Sequence, residues 1–119
     1  MALLQSGAVD LERRGQWLRG LLELCVLGLL ARRESYGYEL AQSLESAGFG
    51  EIQGGTLYPV LLRLQRTGLV SVEWRAGTAG PARKYYRLTP AGVDTMRRTA
   101  ADWRTFAGGV DSILGGRSA

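Results

Sequence analysis

Residues 54–90 read GGTLYPVLLRLQRTGLVSVEWRAGTAGPARKYYRLTP, and the order of patterns in that stretch decides the fold. Leu57, Val60, Leu61 and Leu64 recur at helical spacing, and Gly68 ends the run. Val70, Val72 and Trp74 then alternate with Ser71, Glu73 and Arg75, the period of a strand with one buried face. That pattern makes Trp74 a core residue. Gly77, Gly80 and Pro81 turn the chain within Ala76–Ala82, and Arg83–Leu88 returns as a second strand. Proline fixes the helix start. Pro59 has no N–H and is tolerated in the first turn, which predicts a helix over Leu57–Thr67 with Thr56 as N-cap. Tyr58, Pro59, Leu62, Arg63 and Arg66 then occupy the face opposite the leucines.

Working upstream, Trp17–Ala31 is apolar around most of its circumference, so this helix needs cover on several sides. In a small domain that implies a partner subunit over Leu21 and Leu24 as well as the chain's own core. Ser35 is a reasonable cap for a second helix over Tyr36–Ala47, with Leu40 and Leu44 on one face and Gly48 as its stop. Phe49–Gly55 reads as a loop. Downstream, Thr89–Pro90 opens a last helix. Along it Val93, Met96, Ala100, Trp103, Ala107, Val110 and Leu114 are spaced 3, 4, 3, 4, 3 and 4 residues apart, a heptad seam suited to a second helix. Gly108–Gly109 should bend or fray that helix beyond Ala107, and Gly115–Ala119 reads as a disordered tail. The expected fold is mainly α, a winged helix-turn-helix over 17–89 with a two-stranded wing. An extension precedes it over 1–16, able to lengthen the first helix, and a dimerisation helix follows over 90–114.

At 119 residues the chain is one domain with a single core. It has no histidine and one cysteine, so no zinc site, internal disulfide or histidine acid–base chemistry is expected. With no glycine-rich phosphate loop between a strand and a helix either, nothing assembles an enzyme, and no cofactor or metal is called for. Cys25 reads as a packed small hydrophobe. Met1–Gln16 carries Asp10, Glu12, Arg13 and Arg14 and does not read as an export signal. The most apolar run, Leu21–Ala31, falls short of the ~20 residues that span a bilayer. A cytoplasmic protein is expected.

The net charge of +4 is unevenly placed. Residues 1–50 carry five arginines against six acids (−1), residues 51–90 six cations against two acids (+4), and residues 91–119 four against three (+1). One segment thus holds the excess, as a polyanion-binding surface would. A helix lying in the DNA major groove brings its first residues near base edges, which selects Tyr58 and Arg63, with Arg66 a turn farther on toward phosphate. Arg83 and Lys84 at the hairpin can neutralise phosphates without reading sequence. Other roles stay open: Tyr58 can lean on helix two, Arg63 can pair with Glu39, and Arg87 can form a local ion pair. The main alternative is a winged-helix module for protein–protein contact whose basic stretch is merely solvated.

The chain resembles the PadR family of transcriptional regulators, in particular its smaller members with one C-terminal helix. The resemblance rests on Leu24–Leu30, Tyr36-Gly37-Tyr38-Glu39-Leu40, Gly55-Thr56-Leu57-Tyr58-Pro59 through Arg63-Leu64, and Gly68-Leu69-Val70. It continues in Arg83-Lys84-Tyr85-Tyr86-Arg87-Leu88-Thr89 with Ala91-Gly92. It implies a homodimer that represses promoters on double-stranded operator DNA and is released by a small molecule. It also implies DNA contacts from Thr56, Tyr58 and Arg63, from Tyr38, and from Arg83 and Lys84. The wing departs from many relatives in lacking an arginine before Pro81. Members that take planar aromatic ligands stack them on a tryptophan of the last helix, to which Trp103 corresponds; Trp17 can join it. Filling the dimer seam would equally account for Trp103.

Overall fold

A computed structural model describes residues 9–115. Helix α1 spans Leu11–Arg32, so Leu11–Gln16 of the expected extension is helical and the helix starts six residues before Trp17; residues 1–8 lie outside the described residues. Asp10 sets this start. Its carboxylate accepts from the N–H groups of Glu12 (3.0 Å) and Arg13 (3.1 Å), satisfying two donors that a helix leaves open at its beginning. Leu18, Leu22, Val26, Leu27 and Leu30 form the buried stripe of α1, whereas Leu21 and Leu24 are only half-buried.

The expected cap at Ser35 does not form. Ser35 is buried in a two-residue strand, β1 (Ser35–Tyr36), and Tyr36 takes the cap position of α2 (Gly37–Leu44), its N–H donating to Glu39 Oε1 at 3.4 Å. The correction has a tertiary cause: Ser35 lies opposite Tyr86, far along the chain, and the sheet claims its backbone. Helix α2 is shorter than expected and widens over Glu45–Phe49, where Gly48 turns the chain at φ 102°. Helix α3 covers Gly54–Arg66, one turn earlier than expected. Gln53, not Thr56, is its N-cap; the Gln53 carbonyl accepts from the N–H groups of Thr56 (2.9 Å) and Leu57 (3.0 Å). Pro59 is therefore the sixth helical residue. The carbonyl it leaves without a donor belongs to Gly55, which is exposed and has water available.

Strands β2 (Val70–Arg75) and β3 (Arg83–Leu88) pair antiparallel from Val70↔Leu88 to Arg75↔Arg83, and β1 adds to β3, giving the order β1-β3-β2. The hairpin is thus two-stranded at its tip and three-stranded at its root. Leu57, Val60, Leu61 and Leu64 of α3 join the α1 stripe, Leu40, Leu44, Val70 and Tyr86 in one core. Leu61 is fully buried at its centre. Leu61→Ala should therefore cost about 2–5 kcal/mol by lost burial and a residual cavity. Thermal denaturation should show a Tm lower by at least ~10 °C. A shift of only ~2 °C would mean the core closes over the gap.

Trp74 departs from expectation. Val70 is buried and Val72 half-buried, but Trp74, on the same strand face, is 66% exposed. The alternation is real; the helices simply do not extend under the outer part of the hairpin. Helix α4 spans Pro90–Leu114, opened by Thr89, whose Oγ1 accepts from Gly92 N–H (3.1 Å) and donates to the Gly68 carbonyl (2.7 Å). Gly92 is buried where a Cβ would overlap the Leu69 carbonyl oxygen, so only glycine lets α4 press on the α3–β2 turn. The expected fraying past Ala107 does not occur: α4 continues through Gly108–Gly109 and ends at Gly115 in the left-handed conformation. Gly115 is thus an ordered cap, while residues 116–119 of the expected tail lie outside the described residues.

Candidate nucleic-acid interface

The six cations of 51–90 divide into two sets. Arg75 donates to Glu34 at 2.7 Å and to Glu73 at 2.9 Å, contacts that raise its pKa above the ordinary guanidinium value, and Arg87 lies 3.9 Å from Glu34. Both are tied back to Glu34, the residue before β1. Arg63 donates through Nε to Glu23 of α1 at 3.0 Å. The acid is on α1, not the Glu39 of helix two, which instead lies 3.8 Å from Arg33. Among the described residues, Arg66, Arg83 and Lys84 have no carboxylate partner. The uncommitted charge of this segment therefore lies at the end of α3 and on β3.

Arg83 and Lys84, on opposite faces of β3, each stand over an aromatic ring. The Arg83 guanidinium stands 4.6 Å from the Tyr36 ring centroid, and the Lys84 ammonium 5.5 Å from that of Tyr86. Tyr85 packs edge-on against Tyr36 at 5.3 Å and carries Arg75 over its other side at 4.2 Å. This stack ties β1, β2 and β3 together and fixes the angle of the wing. In front of it Tyr38 and Tyr58 are 63% and 51% exposed. Tyr58 leans on helix two and stays accessible at once, because its hydroxyl sits where a Cβ on Gly37 would be. Tyr86 lies behind, its hydroxyl pKa pushed up mainly by burial and then by Tyr58.

The residues singled out in the sequence thus fall on two flanks of α3. Tyr38, Tyr58, Arg83 and Lys84 converge, with Trp74, around a cavity of about 400 Å³. Thr56 and Arg63 line a different cavity of about 510 Å³ between α3 and the first half of α1, with Arg14, Arg19 and Glu23. Arg66 is exposed at the end of the helix. Trp74 and Glu23 were missed in the sequence. The signal for Trp74 was its position as the second-to-last residue of β2, beyond the reach of α3; nothing local points to Glu23, whose partner is 40 residues away.

A third concavity of about 790 Å³ lies between α1 and α4, with Trp17, Leu21, Trp103, Phe106, Val110 and Leu114 among its walls. The Trp103 and Phe106 rings lie 6.4 Å apart, and both remain exposed. Of the seam, Val93, Met96, Ala100 and Ala107 are half-buried within the chain, while Trp103, Val110 and Leu114 are exposed. Cys25 is a partly buried thiol packed against the core, and burial raises its pKa. No helix among the described residues is long and apolar enough to cross a membrane.

Comparison with known proteins places this geometry. Residues 26–98 match the model of the transcriptional regulator PadR-like family. Transcriptional regulator Rv3488 of Mycobacterium tuberculosis is 36% identical over 103 residues, which cover 87% of this chain and 92% of that protein. A PadR-like transcriptional regulator from Bacillus cereus superposes with a TM-score of 0.77 at 36% identity, covering 86% of this chain and 99% of that one. A PadR family regulator from Eggerthella lenta gives 0.74 at 39% identity, covering 83% and 86%. With its winged helix, its C-terminal helix and these matches, the chain belongs to the PadR-like family of transcriptional regulators.

Proposed function

We propose that this regulator is a cytoplasmic homodimer that binds operator DNA sequence-specifically and represses transcription until a small planar aromatic molecule releases it. The observation carrying the DNA reading is the coincidence, on the face shared by α3 and the wing, of uncommitted cations with exposed aromatic side chains. Tyr58 and Thr56, in the first half of α3, are assigned to base edges in the major groove. Arg63 reaches the same groove from the other flank by exchanging Glu23 for DNA. Arg66, Arg83 and Lys84 are assigned to phosphates, and Tyr38 to the backbone beside α2. Residues 17–89 act as the reading unit and 90–114 as the dimerisation helix. Duplex affinity should fall steeply with salt, and Lys84→Ala should lower the slope of log K against log[salt] by about one unit per engaged protomer. A flat salt dependence would instead favour a module for protein–protein contact.

The effector is assigned to the groove beside Trp103, with Trp17 across it. Its size and apolar walls suit a drug-sized aromatic, which offset stacking on the indole would hold. Titrating the DNA-free protein with acridine and phenanthridine dyes should quench tryptophan fluorescence, and Trp103→Ala should weaken dye binding about tenfold. Unchanged affinity in that variant would leave Trp103 as packing alone.

A further inference from the structure

Trp74 is a large side chain for which the winged-helix core provides no internal role. It is 66% exposed on β2, directly across the ladder from Lys84. Trp74, Tyr38 and Tyr58 flank one cavity between α2, α3 and the wing, and Arg83 and Lys84 line the same space. Among the described residues, no carboxylate lines it. The neighbouring acid on β2, Glu73, does not line this cavity and is engaged with Arg75. The first residue of α2, Gly37, has no side chain, and this brings the Tyr58 hydroxyl to the start of that helix.

We infer that this cradle holds one sugar–phosphate strand of a DNA duplex, with the Trp74 indole packed on deoxyribose and Lys84 and Arg83 on the flanking phosphates. The inference rests on the DNA-binding reading above and extends it to a residue outside the recognition helix. A helix in the major groove and a hairpin in the neighbouring minor groove are separated by a single backbone strand. That strand must cross the space between α3 and the wing, and the cradle is that space. Its chemistry matches: flat apolar surfaces suit the carbon face of a sugar, two free cations suit phosphate, and no acid repels it. Because sugars are common to all sequences, Trp74 contributes affinity without sequence preference.

The Trp17→Phe, Trp103→Phe variant leaves Trp74 as the single indole, and its duplex affinity is measured beside the parent's. On saturation at low salt with a random-sequence duplex of about 30 base pairs, enough for two half-sites a turn apart, acrylamide quenching of Trp74 should drop at least ~3-fold. In the parent, Trp74→Ala should weaken duplex binding about tenfold for every sequence tried, the scale of lost aromatic contacts to nucleic acid. Its Tm should hold, since the indole packs on no core, and Trp74→Phe should recover part of the loss. Duplex binding with Trp74 still open to acrylamide overturns this inference alone. Protection of Trp74 before any DNA is added also overturns it, assigning the indole to a contact between copies. Absence of duplex binding by the parent overturns the DNA-binding reading together with this one.

Discussion

Arg83→Glu combined with Lys84→Glu should lower duplex affinity by more than ~100-fold at low salt while leaving the Tm within about 3 °C, as expected of surface substitutions. Neither side chain has a carboxylate partner among the described residues, so no ion pair is broken. What is removed is cation–π contact with Tyr36 and Tyr86, worth about 0.5–1 kcal/mol at exposed sites. What is added is repulsion. Each reversal deletes a phosphate contact and sets a carboxylate against the backbone, so the salt slope should fall by about two units per protomer. The control is Arg75→Gln. Arg75 is already held by Glu34 and Glu73, so its loss should loosen the tie between β2 and Glu34 while changing the salt slope by less than the loss of Lys84 does. If reversal at 83 and 84 lowers affinity no more than Arg75→Gln does, the free cations are not the phosphate-binding set.

Where the sequence was legible, the physics was local. Strand limits Val70–Arg75 and Arg83–Leu88, the buried face of α3 and the Thr89–Pro90 start of α4 each follow from side-chain period or capping chemistry within a few residues. Where it was not, a distant partner decided. Ser35 looks like a cap until β3 is brought beside it, and Tyr86 then makes it a strand residue. Arg63 finds Glu23 because α1 packs along α3, which no pairing rule within helix two or three discloses. Trp74 shows the reverse failure. The alternating pattern assigns its strand face correctly, but a pattern carries no information about how far the covering layer extends. A hairpin that leaves the domain necessarily carries one core-facing residue into solvent. The site was read in the same way: the helix-borne and wing-borne residues were legible singly, whereas their division into two flanks depends on how the wing sits against α2.

Placing aspartate at both Val110 and Leu114 should convert the proposed dimer of about 26 kDa (twice 12.9 kDa) to a folded monomer at micromolar concentration. Both side chains are exposed in the isolated chain, so the protomer loses no core contact. In a two-fold interface each is buried twice, and full burial of a Val or Leu side chain is worth about 1.5–3 kcal/mol. The double variant removes four such burials and puts four carboxylates where they stood. No seam of this length tolerates unpaired charges, since isolated buried carboxylates are far costlier than lost apolar area. Light scattering after size exclusion reads the mass, and circular dichroism should show α4 intact, because both side chains are exposed and its start at Thr89–Pro90 lies elsewhere. Duplex binding should fall with the dimer. Two reading units joined through α4 engage a pair of half-sites as one ligand, and losing that link lowers apparent affinity by about 10²–10⁴ without altering any DNA-facing residue. A wild-type chain that is monomeric at these concentrations, or a double variant that stays dimeric, would show that Val110 and Leu114 do not join the subunits. Full operator affinity in a demonstrated monomer would instead show that one winged helix suffices.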